Sequence, residues 1–222
     1  MHIIYEAVIG SKLKGNDTAE SDTDTMGIFI AKNEDIGGFD WNDSKNTVTN
    51  ASPDGDDETF YELRKFFRLA AKSTPAILPF LASDKLISSS PLGEEAIRIA
   101  REDLVSIEWL RKNANYSRGK FIKYFSGHNP KDLIEAFYIG ELSCRWLFYG
   151  RAPSAALVNP ELHYWSYYTF DEFIDLPIGH QEDLIETLAR MCEQTTSETM
   201  PIAEPDWTRA TEFLKHVRNN IG

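Results

Sequence analysis

The chain has 222 residues, 42 % of them hydrophobic, which is enough for one large domain or two small ones with a sizeable core. Lys and Arg number 23 against 35 Asp and Glu, and the net charge of −12 argues against a protein that coats nucleic acid through a general basic surface. No apolar run of roughly 18 to 20 residues predicts a membrane helix, and the first residues lack a secretion signal, so we expect a cytoplasmic protein with no membrane partner.

The N-terminal part of the chain predicts two short buried strands. Residues 3–9 and 24–31 are apolar and rich in β-branched side chains, and the first of these runs ends at the bend Gly10-Ser11. Residues 32–57 are rich in Asn, Asp, Gly and Ser, which predicts a long loop with one short strand near 47–49.

From Phe60 onward the apolar residues recur with helical spacing. The first helix is predicted to end before Pro75. Ser90-Pro91 and Asn129-Pro130 are typical of helix starts, and Gly150 is typical of a helix end. The remaining helical predictions are a mostly helical stretch from Ser90 to about 125 with a break at 113–117, and helices at 180–196 and 205–219.

This order of elements predicts an α+β fold. A small mixed β-sheet comes first and a helical C-terminal half follows it. We place a boundary near residue 90, which separates a catalytic core at 1–90 from a helical region at 91–222 that packs on the core.

Two carboxylates lie two residues apart where the second strand begins. If the backbone is extended there, Asp22 and Asp24 project from the same face, about 6.5 to 7 Å apart along the chain. Magnesium prefers oxygen ligands and usually takes one or two protein carboxylates. Glycine lets the backbone come close to a phosphate, and a neighbouring hydroxyl can bind the same anion. We therefore predict that Asp22 and Asp24 bind metal and that Gly10, Ser11 and Ser21 bind phosphate.

A stripe of basic residues lies on one face of the first predicted helix. Arg64, Arg68 and Lys72 recur every four residues, so they share one face of that helix. Such a stripe is typical of a face that is simply solvated. The alternative, which makes Arg64 and Arg68 candidate nucleotide-binding residues, is that they contact the phosphates of a bound nucleotide.

These motifs together resemble a known family. Gly10-Ser11, the stretch from Gly15 to Asp24 and Gly27-Ile28-Phe29 are similar to the core motif of the DNA polymerase β-like nucleotidyltransferase superfamily. Within it the match is closest to predicted nucleotidyltransferases of bacteria and phages. The resemblance extends through 57–66, which is similar to the strand-to-helix segment of those proteins.

The resemblance implies a metal-dependent nucleotidyltransferase. Three carboxylates would bind two magnesium ions, with manganese as a substitute, and a nucleoside triphosphate such as ATP would give its nucleoside monophosphate to an acceptor hydroxyl with release of pyrophosphate. The third carboxylate corresponds best to Asp57, which would also accept the proton of the hydroxyl, and Glu58 and Asp56 are alternatives. The acceptor stays open between an RNA end, a protein side chain and a small molecule.

Two positions depart from the family pattern. Relatives carry a glutamate where this chain has Pro79, and an arginine where it has Ile139 or Gly140. Because those side chains would hold the acceptor or the phosphates, an alternative function is a catalytically inactive acidic interaction protein that keeps the fold. The sequence leaves the base, the acceptor and the oligomeric state open.

Overall fold

The computed structural model describes residues 1–14, 17, 20–32, 46–51, 56–150, 175–194 and 203–221. The strands are β1 (His2–Val8), β2 (Thr25–Ile30), β3 (Thr47–Ala51), β4 (Asp57–Glu62) and β5 (Leu86–Ser89). The helices are α1 (Gly10–Lys14), α2 (Leu63–Ala71), α3 (Ile77–Ala82), α4 (Pro91–Ile99), α5 (Ile107–Gly127), α6 (Pro130–Tyr149), α7 (Ile178–Gln194) and α8 (Thr208–Ile221), with a π-helical turn at Ala100–Leu104. The predicted α+β fold, a small mixed sheet followed by a helical half, is confirmed.

The topology of the sheet brings the ends of three strands together at one edge. The strand order is β3-β4-β2-β1-β5, and β2 and β4 are parallel while the other pairs are antiparallel. Val8 pairs with Thr25, and Thr25 pairs with Glu58. The end of β1 and the starts of β2 and β4 therefore meet at the same edge, which is called the carboxylate edge below.

The central strand β2 is buried on both faces, and its neighbouring side chains point in opposite directions. Ile28 joins the main hydrophobic core, which also contains the aromatic rings of the α2 helix, Trp146 and other side chains of the helical half. Phe29 faces the other side and packs with Phe60 in a smaller cluster. The main core continues across residue 90, so the boundary at that residue stays a prediction. No helix in the described stretches is long and apolar enough to cross a bilayer.

The predicted helix ends are confirmed where short-range capping sets them. The Ser90 side chain accepts a hydrogen bond from Gly93 N at 3.2 Å and Pro91 opens α4. Asn129 caps α6 in the same way, accepting from Lys131 N at 3.1 Å. Gly150 ends that helix with a positive φ of 65°.

The predicted break at 113–117 is wrong. Helix α5 runs through it without interruption, and the chain leaves helical geometry earlier, at Val105 and Ser106. Asn113 and Ser117 of this stretch are buried, whereas Asn115 is exposed. The Asn113 side-chain amide donates to Ser73 O and to Ser143 Oγ, both at 3.1 Å, so its polarity is satisfied across the core.

The helix predicted from Phe60 begins later. Phe60 belongs to β4, and α2 starts at Leu63 because the carboxylate of Glu62 accepts a hydrogen bond from Arg64 N at 2.8 Å and caps the helix. The strand predicted near 47–49 is confirmed as β3, whereas most of the loop around it, residues 33–45 and 52–55, lies outside the described residues. The exposed edge strand β5 had no counterpart in the sequence prediction.

Candidate active site

Gly10 and Asp24 are in direct contact at the carboxylate edge. The main-chain N–H of Ile9 donates to Asp24 O at 2.9 Å, which fixes the end of β1 against the residue before β2. Gly10 has a φ of +69°, and a Cβ built on it would stand only 2.2 Å from Asp24 Oδ2. Glycine is therefore required here by both the backbone conformation and the space that the carboxylate occupies.

The carboxylates of the predicted metal site act on one another. Parallel pairing places Asp57, the first residue of β4, beside Asp24, and the Asp57 N–H donates to the Asp24 carboxylate. Burial, and then the negative charge of Asp57, raise the pKa of Asp24, and Asp22 adds to the same effect. The three acids thus form one electrostatic group, although Asp22 and Asp24 precede β2 and do not lie within it.

The three candidates for the third carboxylate have different neighbours. Asp56 accepts a hydrogen bond from Thr23 N at 2.5 Å and so holds the segment between the paired acids. Glu58 accepts from Asn50 Nδ2 at 3.1 Å on the neighbouring strand. Asp57 is the one whose charge reaches Asp24, which favours it as the third ligand, and that role stays a prediction.

The donor set suits a hard cation in its chemistry. All three groups are carboxylates, and burial together with the charges of Asp57 and Asp22 raises the pKa of Asp24, so a bound cation would stabilise its ionised form. Within the described residues, however, no group of three or more His, Cys, Asp or Glu side chains is arranged so that it could hold a metal ion by itself. Any ion here would need further ligands.

Three lysines that the sequence reasoning missed lie close to the Gly10 bend, and the charge of one of them, Lys14, acts on Asp24. Lys12 Nζ donates to Thr23 Oγ1 at 2.5 Å, and Lys85 Nζ donates to Lys12 O from the chain entering β5. Lys14 ends α1; burial lowers its pKa, while the nearby charge of Asp24 counteracts that effect. The two lysines that directly follow Gly10-Ser11 were a visible signal, whereas only the tertiary fold brings Lys85 to the site.

The helical half reaches the site through Lys14. Its ammonium lies 5.2 Å from the centre of the Tyr138 ring and is attracted by Glu135, both on α6. Glu135 in turn pairs with Lys120 at 2.6 Å and accepts a hydrogen bond from the Tyr116 hydroxyl. Burial and this hydrogen bond raise the pKa of Tyr116 to about 12. A connected set of charges from α5 and α6 therefore holds Lys14 in place.

The structure does not bring Arg64 and Arg68 to the carboxylates. Both lie on α2, which begins at the opposite end of β4, and the strand from Asp57 to Glu62 spans about 17 Å. They line a separate cavity of about 210 Å³. Ser11, by contrast, is in α1 next to Gly10, and the partly buried Ser21 directly precedes Asp22.

The positions that depart from the family pattern lie inside the core. Pro79 is buried in α3, and Ile139 is buried in α6. A Cβ at Gly140 would lie 3.1 Å from Ser117 Oγ, so the packing of α6 on α5 leaves little room for an arginine there. In this chain these positions contribute packing and no charge.

Comparison with known proteins identifies the family of the chain. The family model described as the RNA repair pathway DNA polymerase beta family matches residues 1–159, which include every predicted site residue. The chain is 28 % identical over 148 residues to the uncharacterized protein YcgL of Bacillus subtilis (strain 168), covering 65 % of this chain and 56 % of that protein. It is 37 % identical over 86 residues to an uncharacterized 38.9 kDa protein in the nrdC-mobD intergenic region of Enterobacteria phage T4, covering 36 % of this chain and 26 % of the phage protein. The chain thus spans about half of the first relative and about a quarter of the second. The resemblance to the polymerase β-like superfamily is confirmed.

Proposed function

Because the chain belongs to the RNA repair pathway DNA polymerase beta family, we propose that it transfers a nucleoside monophosphate from a nucleoside triphosphate to a hydroxyl group of an RNA acceptor. The choice of RNA follows the description of the family. One structural observation supports the reaction more than any other: Asp24 lies against the Gly10 bend while the charges of Asp57 and Asp22 act on it.

Asp22, Asp24 and Asp57 would hold two magnesium ions, for which manganese could substitute. Magnesium takes only one or two protein carboxylates and completes its coordination with water and phosphate oxygens. The triphosphate itself would therefore complete the site, which is consistent with the lack of a self-sufficient group of ligands among the described residues. When bound, paired ions neutralise the charge that develops on the α-phosphate and on the leaving group.

The residues of the chain position the reactants and move one proton. The acceptor oxygen forms a bond to the α-phosphorus, and the bond from that phosphorus to the bridging oxygen of pyrophosphate breaks. The proton of the acceptor hydroxyl passes to a carboxylate oxygen of Asp57, and pyrophosphate leaves with the electron pair of the broken bond.

The phosphates of the nucleotide would lie along the Gly10-Ser11 bend and Ser21. Lys12, Lys14 and Lys85 stand around this bend and supply the positive charge that the leaving pyrophosphate needs. These lysines are better placed for that role than Arg64 or Arg68, which lie beyond the far end of β4.

The test is transfer of label from each α-phosphate-radiolabelled triphosphate to a single-stranded RNA with a free 3′ hydroxyl, in the presence of magnesium. Asp24→Asn should reduce labelling by more than about 100-fold, because it removes one ligand charge without changing the shape of the side chain. Asp183→Asn, an exposed site on α7, is the matched control and should label like the wild type.

Labelling that survives Asp24→Asn would contradict the proposed site. If no triphosphate gave label, and if magnesium with each triphosphate also left the melting temperature unchanged, the acidic interaction protein would be the better description.

A further inference from the structure

A basic ridge runs along the outer face of α2. It consists of Arg64, Lys65, Arg68 and Lys72, and successive positions four residues apart are about 6 Å apart along the helix axis. Arg64, Arg68 and Lys72 are exposed, and Lys65 donates to Thr47 Oγ1 at 2.5 Å. Among the described residues no carboxylate forms an ion pair with any of the four cations. Within the described part of a chain whose net charge is −12, these four cations without an ion-paired carboxylate are a local reversal of charge.

Three cavities follow the ridge from one end to the other. Arg64 lines the first, of about 380 Å³, together with Lys215 and Arg218 of α8. The ridge itself lines the second, of about 210 Å³, and Arg68 and Lys72 continue into the third, of about 520 Å³. The described lining contains one carboxylate, that of Glu62, which is 1 % exposed and paired with Arg218. The groove therefore presents cations along its whole length.

Aromatic side chains lie at the far end of this groove. Trp109 and Trp207 line the third cavity with Arg68 and Lys72, and Trp207 is 42 % exposed. Lys112 lies over the Trp109 ring at 3.8 Å from its centre, but it also pairs with Glu108 at 2.5 Å, so the positive charge at this end comes from Arg68 and Lys72. Cations that follow a backbone, together with aromatic rings on which bases stack, are the features by which proteins bind single-stranded nucleic acid.

We propose that the basic ridge and the two tryptophans bind single-stranded RNA, with phosphates on the cations and bases on the indoles. The inference rests on the proposed function, since the strand held there would be the RNA acceptor. Arg64 and Arg68 lie too far from Asp57 to contact the reacting triphosphate, because β4 separates them by about 17 Å. The ridge would instead hold the acceptor several nucleotides away from its reacting end.

The test is the fluorescence anisotropy of a short fluorescein-labelled single-stranded RNA, measured over a range of KCl concentrations with EDTA and without nucleotide. Four phosphate contacts predict a slope of about −2.8 for the logarithm of the binding constant against the logarithm of salt. Arg64→Gln/Arg68→Gln/Lys72→Gln should reduce this slope to about −0.7 and weaken binding at low salt by about tenfold or more. Trp207→Ala should weaken binding by about tenfold with an unchanged slope.

The matched control is Lys123→Gln/Lys131→Gln/Arg190→Gln, which removes the same charge from exposed positions on the helical half. Its affinity should stay within about twofold of the wild type, and an equal loss in both triple variants would overturn the proposal. If the triple variant does not fold, Arg68→Gln alone, at an exposed position, replaces it. This single variant should make the slope less negative by about 0.7.

A glutamate-rich peptide of equal charge separates the other class of partner. If the peptide binds as tightly as RNA, and if the ridge variant loses binding of the peptide as well, the surface fits an acidic protein and the RNA proposal is wrong.

The Asp24→Asn protein distinguishes RNA binding at the ridge from the transfer reaction at the carboxylates. If Asp24→Asn still binds RNA but does not label it, both proposals are supported. If the variant without the ridge cations labels RNA as the wild type does, only the proposal of RNA binding at the ridge is overturned.

Discussion

Gly10→Ala is the smallest change that tests the proposed site. The added Cβ would stand 2.2 Å from Asp24 Oδ2, and ordinary contact begins at 3.4 Å, so the carboxylate has to withdraw by about 1.2 Å. Misplacement by about 1 Å of a positioned group can reduce a rate about 100-fold, and we expect RNA labelling to fall by that factor. The φ of +69° adds about 1–2 kcal/mol of strain for alanine, which lowers the melting temperature by about 2–8 °C in a chain of this size.

Gly119→Ala is the control for this experiment. Gly119 lies inside α5, and a Cβ there would meet nothing within 4 Å. Alanine is favoured over glycine within a helix by about 1 kcal/mol, so the melting temperature should rise by about 2–4 °C with unchanged labelling. Thermal unfolding followed by circular dichroism measures the first quantity and label transfer the second. A Gly10→Ala protein that matches the wild type in both would refute the contact between the bend and Asp24.

Burial and Asp57 raise the pKa of Asp24, so ionisation of Asp24 destabilises the fold as the pH rises through the raised value. Asp24→Asn should therefore raise the melting temperature at neutral pH, and a gain that persisted below the pKa of an unfolded aspartate would contradict this cause. Arg218→Met removes the cationic partner of the buried Glu62 and should lower the free energy of unfolding, measured in urea, by about 3 kcal/mol. The double variant Glu62→Gln/Arg218→Met should recover most of that loss. If it recovers none, loss of the Glu62–Arg218 ion pair is not the cause of the destabilisation. Lys14→Met should raise the KM for the triphosphate about tenfold, and an unchanged KM would remove Lys14 from the phosphate site.

The elements that the sequence predicted well are those set by neighbouring residues. Ser90 and Asn129 cap helices through bonds to residues two or three positions away, and Gly150 ends a helix through its own conformation. The break at 113–117 was wrong because the partners of Asn113 are Ser73 and Ser143, 30 or more positions away along the chain. A polar residue whose partner is distant in sequence cannot be distinguished locally from one that faces solvent.

The same distinction applies to the site. Gly10 and Asp24 could be singled out from the sequence because the bend and the paired acids lie close together in the chain. Lys85 and Glu135 could not, since their approach depends on the antiparallel pairing of β5 with β1 and on the packing of α6 beside α1. The arginine stripe was found as a pattern, but its position beyond the far end of β4 required the topology of the sheet.

Negative and positive side chains lie at opposite ends of β4. Asp57 begins the strand at the carboxylate edge, and Arg64 follows two residues after its end. A polyanion is repelled by the carboxylate edge until cations bind there, whereas the ridge attracts it without added metal. EDTA should therefore abolish nucleotide binding and leave RNA binding intact, and high salt should weaken RNA binding most strongly because the ridge is exposed. EDTA and high salt would then act on opposite ends of the same strand. RNA binding that required magnesium would show that the acceptor is held at the carboxylates and not on the ridge.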